Sequence, residues 1–269
     1  MRIGFIGDIV GRPGRIMLKN HLMKLREEFN IDYVVANYEN ASHGFGLTKK
    51  NANELYSSGA DLLSGGNHTF DKKDIYELFA AHAIIRPINY PEEVSGKGVF
   101  ETEVNGEKLA VINVMGQFAM PYTDNPFRLL KNAVEELRSK DFKNILIDIH
   151  AEATSEKRAL LMMFKNDVSA IFGTHTHVGT DDLLIHSGCA YVSDVGLTGC
   201  RDNVIGMDES APLERMMNSV GKHYDVPDKC KKVLQMIVAD IEEGRAKSTF
   251  KIRLFDDGRR FVNEGYFED

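Results

Sequence analysis

The hydrophobic pattern of the first eighty residues alternates between short apolar runs and longer segments with helical spacing. Residues 2–8, 32–37 and 61–64 are apolar runs that end in polar or glycine residues, which predicts buried strands. Apolar residues recur every three or four positions over residues 16–29, and further helices are predicted from near Thr48 and over residues 72–82. This strand, loop and helix order predicts a mostly parallel sheet that carries helices.

The rest of the chain predicts hairpins as well as strand and helix units. Residues 99–104 and 108–114 flank an Asn-Gly turn, and two more hairpins are predicted from residues 182–185 with 190–192 and from 248–255 with 260–266. Helices are predicted over residues 126–140, 154–164 and 227–243, strands over 144–149 and 168–173, and a polar loop with one short helix over 198–226. We therefore predict one α/β domain over residues 1–269, with two packed sheets and helices on the outer faces.

Composition limits the functions that this chain can have. The net charge of −7 argues against stable binding to duplex nucleic acid, which requires Lys and Arg facing the phosphates. No apolar run approaches the length of a membrane helix, and the N-terminus lacks the pattern of a signal peptide. The three cysteines, Cys189, Cys200 and Cys230, show no paired spacing. We expect a cytoplasmic protein with reduced cysteines and no membrane partner.

Polar residues that can bind metal ions follow five of the predicted strands. They are Asp8, Glu39, Asn40, Asn67, His68, His150, His175 and His177. Open α/β sheets bind ligands at the carboxyl ends of their strands, so these side chains are expected to converge. Carboxylate, amide and imidazole ligands together suit Mn, Fe, Zn or Co. Eight candidates are too many for one tetrahedral ion but suit two, and Glu39 is the best bridging ligand because a carboxylate has two oxygens.

Each of these residues also has a structural explanation when it is taken alone. Asp8 could cap a helix, the Gly-Gly-Asn-His segment could be a tight turn, and His150 could be a buried core histidine. His175 and His177 form the more specific pair, because alternate residues at a strand end point the same way. Neighbouring polar residues are interpreted as structural or as groups that could orient the metal-bound histidines, namely Asp71, Asp148, His43, Thr174 and Thr176.

These motifs resemble the strand-end motifs of the calcineurin-like metallophosphoesterase superfamily. The superfamily pattern of GDxH, GDxxDR or a variant, GNH(D/E), a lone His and GHxH corresponds here to Gly7-Asp8-Ile9-Val10, Glu39-Asn40, Gly66-Asn67-His68, His150 and Thr174-His175-Thr176-His177. Val10 replaces the first histidine and Glu39-Asn40 replaces the usual bridging Asp, so Asn40 could fill the coordination position that the missing histidine leaves. This variant, with DIVGRPGR and ANYENASHGFG, resembles the YmdB-like subfamily over essentially the whole length.

The resemblance implies a metallophosphoesterase-type α/β/β/α sandwich that hydrolyses cyclic nucleotides, above all 2′,3′-cyclic AMP to 3′-AMP. It also implies two iron or manganese ions and a homo-oligomer. One metal would take Asp8, Glu39, Asn40 and His177, and the other would take Glu39, Asn67, His150 and His175. A hydroxide between the metals would attack the small phosphodiester, and His68 would be the catalytic proton donor.

The sequence has two alternative interpretations. A Rossmann-type dinucleotide site at Gly7, Gly11 and Gly14 is disfavoured, because the spacing is not G-x-G-x-x-G and Asp8 would lie beside the pyrophosphate. A metal-binding regulatory or scaffold protein with weak or vestigial hydrolase activity stays open, and only an activity measurement separates it from an enzyme.

Overall fold

Two mixed sheets form the centre of the computed structural model, which describes residues 1–268. The first sheet contains β1 (Arg2–Ile6), β2 (Tyr33–Asn37), β3 (Leu62–Ser64), β10 (Gly199–Cys200), β11 (Lys232–Glu242), β12 (Arg245–Phe255) and β13 (Arg260–Glu264). Its order is β13-β12-β11-β1-β2-β3, with β10 paired to β11. Strands β1, β2 and β3 run parallel to one another, so their carboxyl ends meet at one edge.

The second sheet has its own set of parallel strands. It contains β4 (Val99–Val104), β5 (Glu107–Met115), β6 (Asn144–His150), β7 (Ala170–Thr174), β8 (Leu184–His186), β9 (Cys189–Val192) and β14 (Tyr266–Glu268). The order is β14-β8-β9-β7-β6-β5-β4, and β5, β6, β7 and β9 are parallel neighbours. The three predicted hairpins are confirmed as β4 with β5, β8 with β9, and β12 with β13.

Six helices within residues 1–268 lie outside the sheets. They are α1 (Gly11–Glu28), α2 (Lys49–Ser57), α3 (Ile75–Ala81), α4 (Pro126–Ser139), α5 (Thr154–Phe164) and α6 (Ser210–Asn218). Thr48 caps α2 by accepting from the Asn51 amide, and Asn125 caps α4 by accepting from Arg128. The short helix predicted within residues 198–226 is α6. Among the described residues, no helix has the length and apolar character needed to span a membrane.

Three apolar layers stack the elements in the predicted order. Helices α1 to α3 pack on the outer face of the first sheet, where Leu18 and Val34 are buried together. The facing sides of the two sheets enclose a second layer, in which the Phe5 and Phe172 ring centroids lie 5.5 Å apart. Helices α4 and α5 pack on the second sheet through residues such as Leu160. The predicted α/β/β/α sandwich of two mixed sheets is therefore confirmed.

One predicted element is wrong. Residues 227–243 were expected to form a helix, and the structure instead has strand β11 there, between β1 and β12. Both faces of β11 are buried, so its sequence KVLQMIVADIE lacks the alternation of a half-exposed strand. A continuous apolar run cannot be assigned to helix or strand from its periodicity, and its length favoured the helix.

The cysteines also differ from the expectation. Cys200 on β10 and Cys230 before β11 form a disulfide, with their Cα atoms 5.6 Å apart, while Cys189 is buried and free. The two residues are 30 positions apart in sequence, and no local pattern marks them as partners. They meet because β10 pairs with β11, a pairing that the predicted helix had excluded.

Candidate metal centre

The candidate site lies where the parallel strands of both sheets end. Asp8 follows β1, Glu39 and Asn40 follow β2, and Asn67 follows β3; His150 ends β6, and His175 and His177 follow β7. Contacts cross between the sheets at this point. Asp8 Oδ2 accepts a hydrogen bond from the His175 amide at 3.2 Å, and Glu39 Oε2 lies 3.2 Å from His150 Nε2. The expected convergence therefore occurs, with three strand ends from one sheet and two from the other.

The densest cluster surrounds one imidazole nitrogen. His150 Nε2 lies 3.0 Å from Asn67 Oδ1, 3.1 Å from His175 Nδ1 and 3.2 Å from Glu39 Oε2. Ligand atoms of Glu39, His150 and His175 all lie within 4.8 Å of one another. The oxygens carry lone pairs, each imidazole nitrogen carries one once it is unprotonated, and this mixture of carboxylate, amide and imidazole is the ligand chemistry of divalent transition metals. Glu39, His150 and His175 therefore form a possible metal-binding group, with Asn67 beside them.

A second group lies beside this cluster. His177 Nε2 lies 3.1 Å from Asn40 Oδ1, whose amide nitrogen donates to the Gly44 carbonyl at 2.9 Å. Asp8 is fully buried, and its Oδ1 has no hydrogen-bond partner in the described structure. A buried carboxylate oxygen without a partner is costly, and a bound cation would satisfy it. The residues present thus fit a metal ion here as well.

Burial and charge act in opposite directions on the pKa values of the cluster. Burial alone would raise the pKa of Glu39, but the His150 imidazole lowers it to about 2. Burial would lower the pKa of His150, while the Glu39 carboxylate raises it to about 9. Burial and the neighbouring His150 lower the pKa of His175 to about 3, and burial raises the pKa of Asp8. His175 is thus neutral, as a metal ligand must be, whereas Glu39 favours a proton on His150, which a bound metal ion would have to replace.

His150, His175 and His177 each have two ring nitrogens. One faces the candidate ligand atoms, and an oxygen holds the other. Thr174 Oγ1 lies 2.9 Å from His150 Nδ1 and donates to Asp148 Oδ1 at 2.8 Å. The Ile205 carbonyl accepts from His177 Nδ1 at 2.7 Å, and Glu152 Oε2 lies 3.2 Å from His175 Nε2. Such partners fix the tautomer and the ring orientation of a metal-binding histidine. Thr174 and Asp148 thus lie where they can do what the sequence predicted.

His68 is bound differently from the other three histidines. Its Nδ1 lies 2.8 Å from Asp71 Oδ2, and its ring packs edge-to-face on Phe45 with centroids 4.9 Å apart. Its side chain is 29% exposed, close to the 23% of His175, whereas those of His150 and Glu39 are buried. The His68 amide donates to Glu39 Oε2 at 3.0 Å, which keeps the residue next to the cluster. This arrangement suits a group that meets a substrate from solvent.

Gly66 makes room for the cluster. A Cβ atom at this position would lie 2.1 Å from Glu39 Oε2 and 2.5 Å from His150 Nε2. The backbone of the predicted Gly-Gly-Asn-His turn therefore packs directly on two of the candidate ligands.

The other glycines near Asp8 serve the packing of a neighbouring segment. A Cβ on Gly7 would lie 1.9 Å from the Gly196 carbonyl oxygen, and one on Gly14 would lie 2.3 Å from that of Thr198. This close approach of residues 196–198 accounts for both glycines without a dinucleotide.

Several contributors at the site were not predicted. Glu152 follows His150 by two residues at a strand end, so its position carried a signal that could have been used. Ile205 contacts His177 through its backbone carbonyl, and because every residue has that group, the sequence cannot single Ile205 out. The alternation of strand side chains does not account for His175 and His177, because both lie beyond β7 with φ angles of 101° and 65°.

Comparison with known proteins places the chain in a family. The Bacillus subtilis protein named 2′,3′-cyclic-nucleotide 2′-phosphodiesterase is 41% identical over 265 residues, which cover 97% of this chain and 99% of the relative. A crystal structure described as a novel phosphatase from Mycoplasma pneumoniae has a TM-score of 0.87 and 31% identity, covering 98% of this chain and 94% of its own.

A more distant structure shares the fold alone. The 5′-nucleotidase precursor of Thermus thermophilus has a TM-score of 0.54 and 13% identity, covering 98% of this chain and 55% of its own. The fold is thus the metallophosphoesterase fold. A family model described as YmdB-like protein matches residues 5–252. The chain belongs to the YmdB-like family, whose relatives are named as phosphodiesterases and phosphatases.

Proposed function

We propose that this protein is a dinuclear metal-dependent phosphodiesterase that hydrolyses 2′,3′-cyclic nucleotides to 3′-monophosphates, with 2′,3′-cyclic AMP as the preferred substrate. The observation that carries the proposal is the convergence of Glu39, Asn67 and His175 within hydrogen-bond distance of His150 Nε2. The substrate class follows from the name of the Bacillus subtilis relative.

The proposed ligands divide into two sets that share Glu39. One ion would be held by Asp8, Glu39, Asn40 and His177, and the other by Glu39, Asn67, His150 and His175. Mixed carboxylate, amide and imidazole sets suit iron or manganese, with zinc or cobalt as further options. Two ions bound there would supply positive charge for the phosphate and a water whose pKa is lowered toward neutrality.

His68 is the proposed proton donor to the leaving oxygen. The Asp71 carboxylate accepts a hydrogen bond from His68 Nδ1, so the proton that His68 would give up is the one on Nε2. Attack of hydroxide on phosphorus would form the new P–O bond and break the bond to O2′, which takes the proton from His68, while the phosphate stays on the 3′ oxygen. Asp71 keeps the imidazole in one orientation, and contact with Phe45 limits its rotation.

The test is a substrate series measured together with metal content. Protein reconstituted with manganese or iron is assayed on 2′,3′- and 3′,5′-cyclic nucleotides, nucleotides and short RNAs, with bis-p-nitrophenyl phosphate as a general diester. We expect two bound ions and the highest kcat/KM on 2′,3′-cyclic AMP, with 3′-AMP as the product. Glu39→Gln should lose metal and activity together.

Two other outcomes would contradict the proposal in different ways. Two bound ions without turnover of any diester would favour the regulatory or scaffold protein. A higher kcat/KM on 3′,5′-cyclic nucleotides or on monoesters would leave the metal centre in place and overturn the substrate.

A further inference from the structure

The segment that carries His175 and His177 has an unusual backbone. Both histidines have positive φ angles, 101° and 65°, a region that non-glycine residues rarely adopt. Such conformations persist only when the surrounding structure holds them in place. The two side chains reach their separate partners, His150 and Asn40, because of this bend. Whatever holds the bend therefore controls where two of the proposed ligands lie.

A buried ion pair ties the bend to the rest of the fold. Lys157 Nζ on α5 donates to the Thr174 carbonyl at 2.9 Å and to Asp194 Oδ2 at 2.9 Å. Asp194 Oδ2 also accepts from the Thr176 amide at 3.1 Å, and its Oδ1 accepts from the Gly196 amide at 2.8 Å. The pair thus binds the carbonyl that enters the bend and the amide in its middle.

The pair is costly to bury, so a stabilising role alone does not explain it. The Lys157 and Asp194 side chains are 0% and 1% exposed. Removing two charges from water costs more free energy than their attraction usually returns, and apolar residues of similar size are often as stable or more so. These charges are aimed at backbone groups of the bend, which an apolar pair could not bind.

The surroundings leave the strand end little freedom to adjust. A Cβ on Gly173 would lie 1.8 Å from the Ser193 carbonyl oxygen and 3.0 Å from Lys157 Cδ. Val195 donates to the Gly173 carbonyl at 2.9 Å, and Leu197 donates to the His177 carbonyl at 3.1 Å. Helix α5 and residues 193–197 therefore enclose the bend on both sides, with the ion pair between them.

We propose that Lys157 and Asp194 are positioning residues that hold the bend at His175 and His177 before any metal binds, and thereby set the metal affinity of the site. The inference rests on the proposed metal centre. It does not depend on which diester is hydrolysed, so it is tested by metal binding and backbone protection instead of turnover.

The first experiment compares two double variants, each of which loses one positive and one negative side chain and so keeps the net charge of the wild type. Lys157→Met with Asp194→Asn removes both charges and the donor to Thr174 while keeping side-chain length. The matched control, Arg2→Met with Asp240→Asn, removes an ion pair of 2.6 Å between β1 and β11. Mn²⁺ affinity is measured by electron paramagnetic resonance titration. We expect the first variant to bind Mn²⁺ about 10- to 100-fold more weakly, the usual effect of residues that orient metal ligands, and the control to match the wild type.

The second experiment uses the unaltered protein and does not depend on the variants folding. Hydrogen–deuterium exchange is followed in chelator-treated wild type for a peptide covering residues 173–178. We expect this peptide to exchange at least about 10-fold more slowly than an unstructured chain, because Asp194 holds the Thr176 amide before metal is added.

The outcomes separate the inference from the proposed function. Wild-type Mn²⁺ affinity in the folded Lys157→Met, Asp194→Asn variant would overturn the inference, and so would unprotected exchange of residues 173–178 in the metal-free wild type. Normal Mn²⁺ binding and protection without hydrolysis of any cyclic nucleotide would overturn the proposed function and leave the positioning role standing.

Discussion

At the scale of single residues, the contacts of each imidazole ring separate the proposed metal ligands from the proposed proton donor. His150, His175 and His177 each have one nitrogen held by an oxygen and the other facing the cluster. His68 also has its Nδ1 held by an oxygen, that of Asp71, but its ring packs on Phe45, and its contact with the cluster is through its backbone amide. An imidazole that is not held among ligand atoms is placed to give a proton to a substrate, whereas one that faces other ligand atoms is placed to bind a metal. The same residue type thus has two proposed uses within one site.

His68→Ala tests this division. We expect metal content near that of the wild type and a fall in kcat on 2′,3′-cyclic AMP of about 10²- to 10⁴-fold, the usual contribution of a general acid. The loss should be smaller on bis-p-nitrophenyl phosphate, because p-nitrophenolate leaves without a proton. His82→Ala is the control. The His82 ring stacks on Tyr56, with the two ring centroids 5.3 Å apart, and not on a residue of the cluster. Loss of both metals from His68→Ala would exclude the donor role.

Lys251 predicts a pH dependence of stability. Burial lowers its pKa to about 8, and its side chain is 7% exposed. Between about pH 8 and 10.4 the unfolded chain binds this proton and the folded protein does not, so raising the pH favours folding. Denaturant unfolding of wild type and Lys251→Met is compared from pH 7 to 10. We expect the wild type to gain up to about 3 kcal/mol relative to the variant. If the difference in unfolding free energy between the two proteins stayed the same from pH 7 to 10, the lowered pKa of Lys251 would be contradicted.

At the scale of elements, the site depends on how closely turns approach the ligands. The turn after β3 brings the Gly66 backbone against Glu39 and His150, and no side chain fits between them. The sequence predicted this turn and the convergence of the strand ends from the polar residues that follow each apolar run. It could not predict the positive φ angles of His175 and His177, because those depend on groups far away in sequence, Lys157 and Asp194.

Gly66→Ala should therefore act on the metal site. The added methyl group would displace the Glu39 carboxylate and the His150 ring, and we expect metal affinity to fall about 10- to 100-fold. Gly221→Ala is the matched control, since a Cβ there meets no atom within 4 Å. Both variants are titrated with Mn²⁺ after circular dichroism has shown that they fold. Equal affinity in the two variants would mean that the turn can move away.

At the scale of the whole molecule, the first sheet includes one strand that the sequence pattern misassigned. The predicted layers, hairpins and parallel strands follow from local periodicity. Strand β11 does not, because a strand buried on both faces has no polar face to mark it. Its pairing with β10 also brings Cys200 to Cys230, so one wrong element concealed a long-range bond.

The disulfide predicts a stability change on reduction. Cys200 and Cys230 are 30 residues apart, and closing a loop of that size stabilises a protein by about 3–4 kcal/mol in the chain-entropy model. Denaturant unfolding with and without dithiothreitol should show a loss of that order. Cys189→Ala should retain the sensitivity, because Cys189 is free and buried. Cys200→Ser with Cys230→Ser should be insensitive to reductant, and a wild type equally insensitive would contradict the bond.

The position of β1 has a consequence for how the protein is made. This strand lies between β2 and β11, and Ile3 pairs with Ala239 on the far side. A growing polypeptide therefore exposes one edge of β1 until residue 239 has left the ribosome. Unpaired strand edges bind other strands readily, so newly synthesised chains are open to aggregation until β11 has been made. Asp8, two residues after β1, gains its contacts with the His175 and Thr198 amides only after those residues have been synthesised.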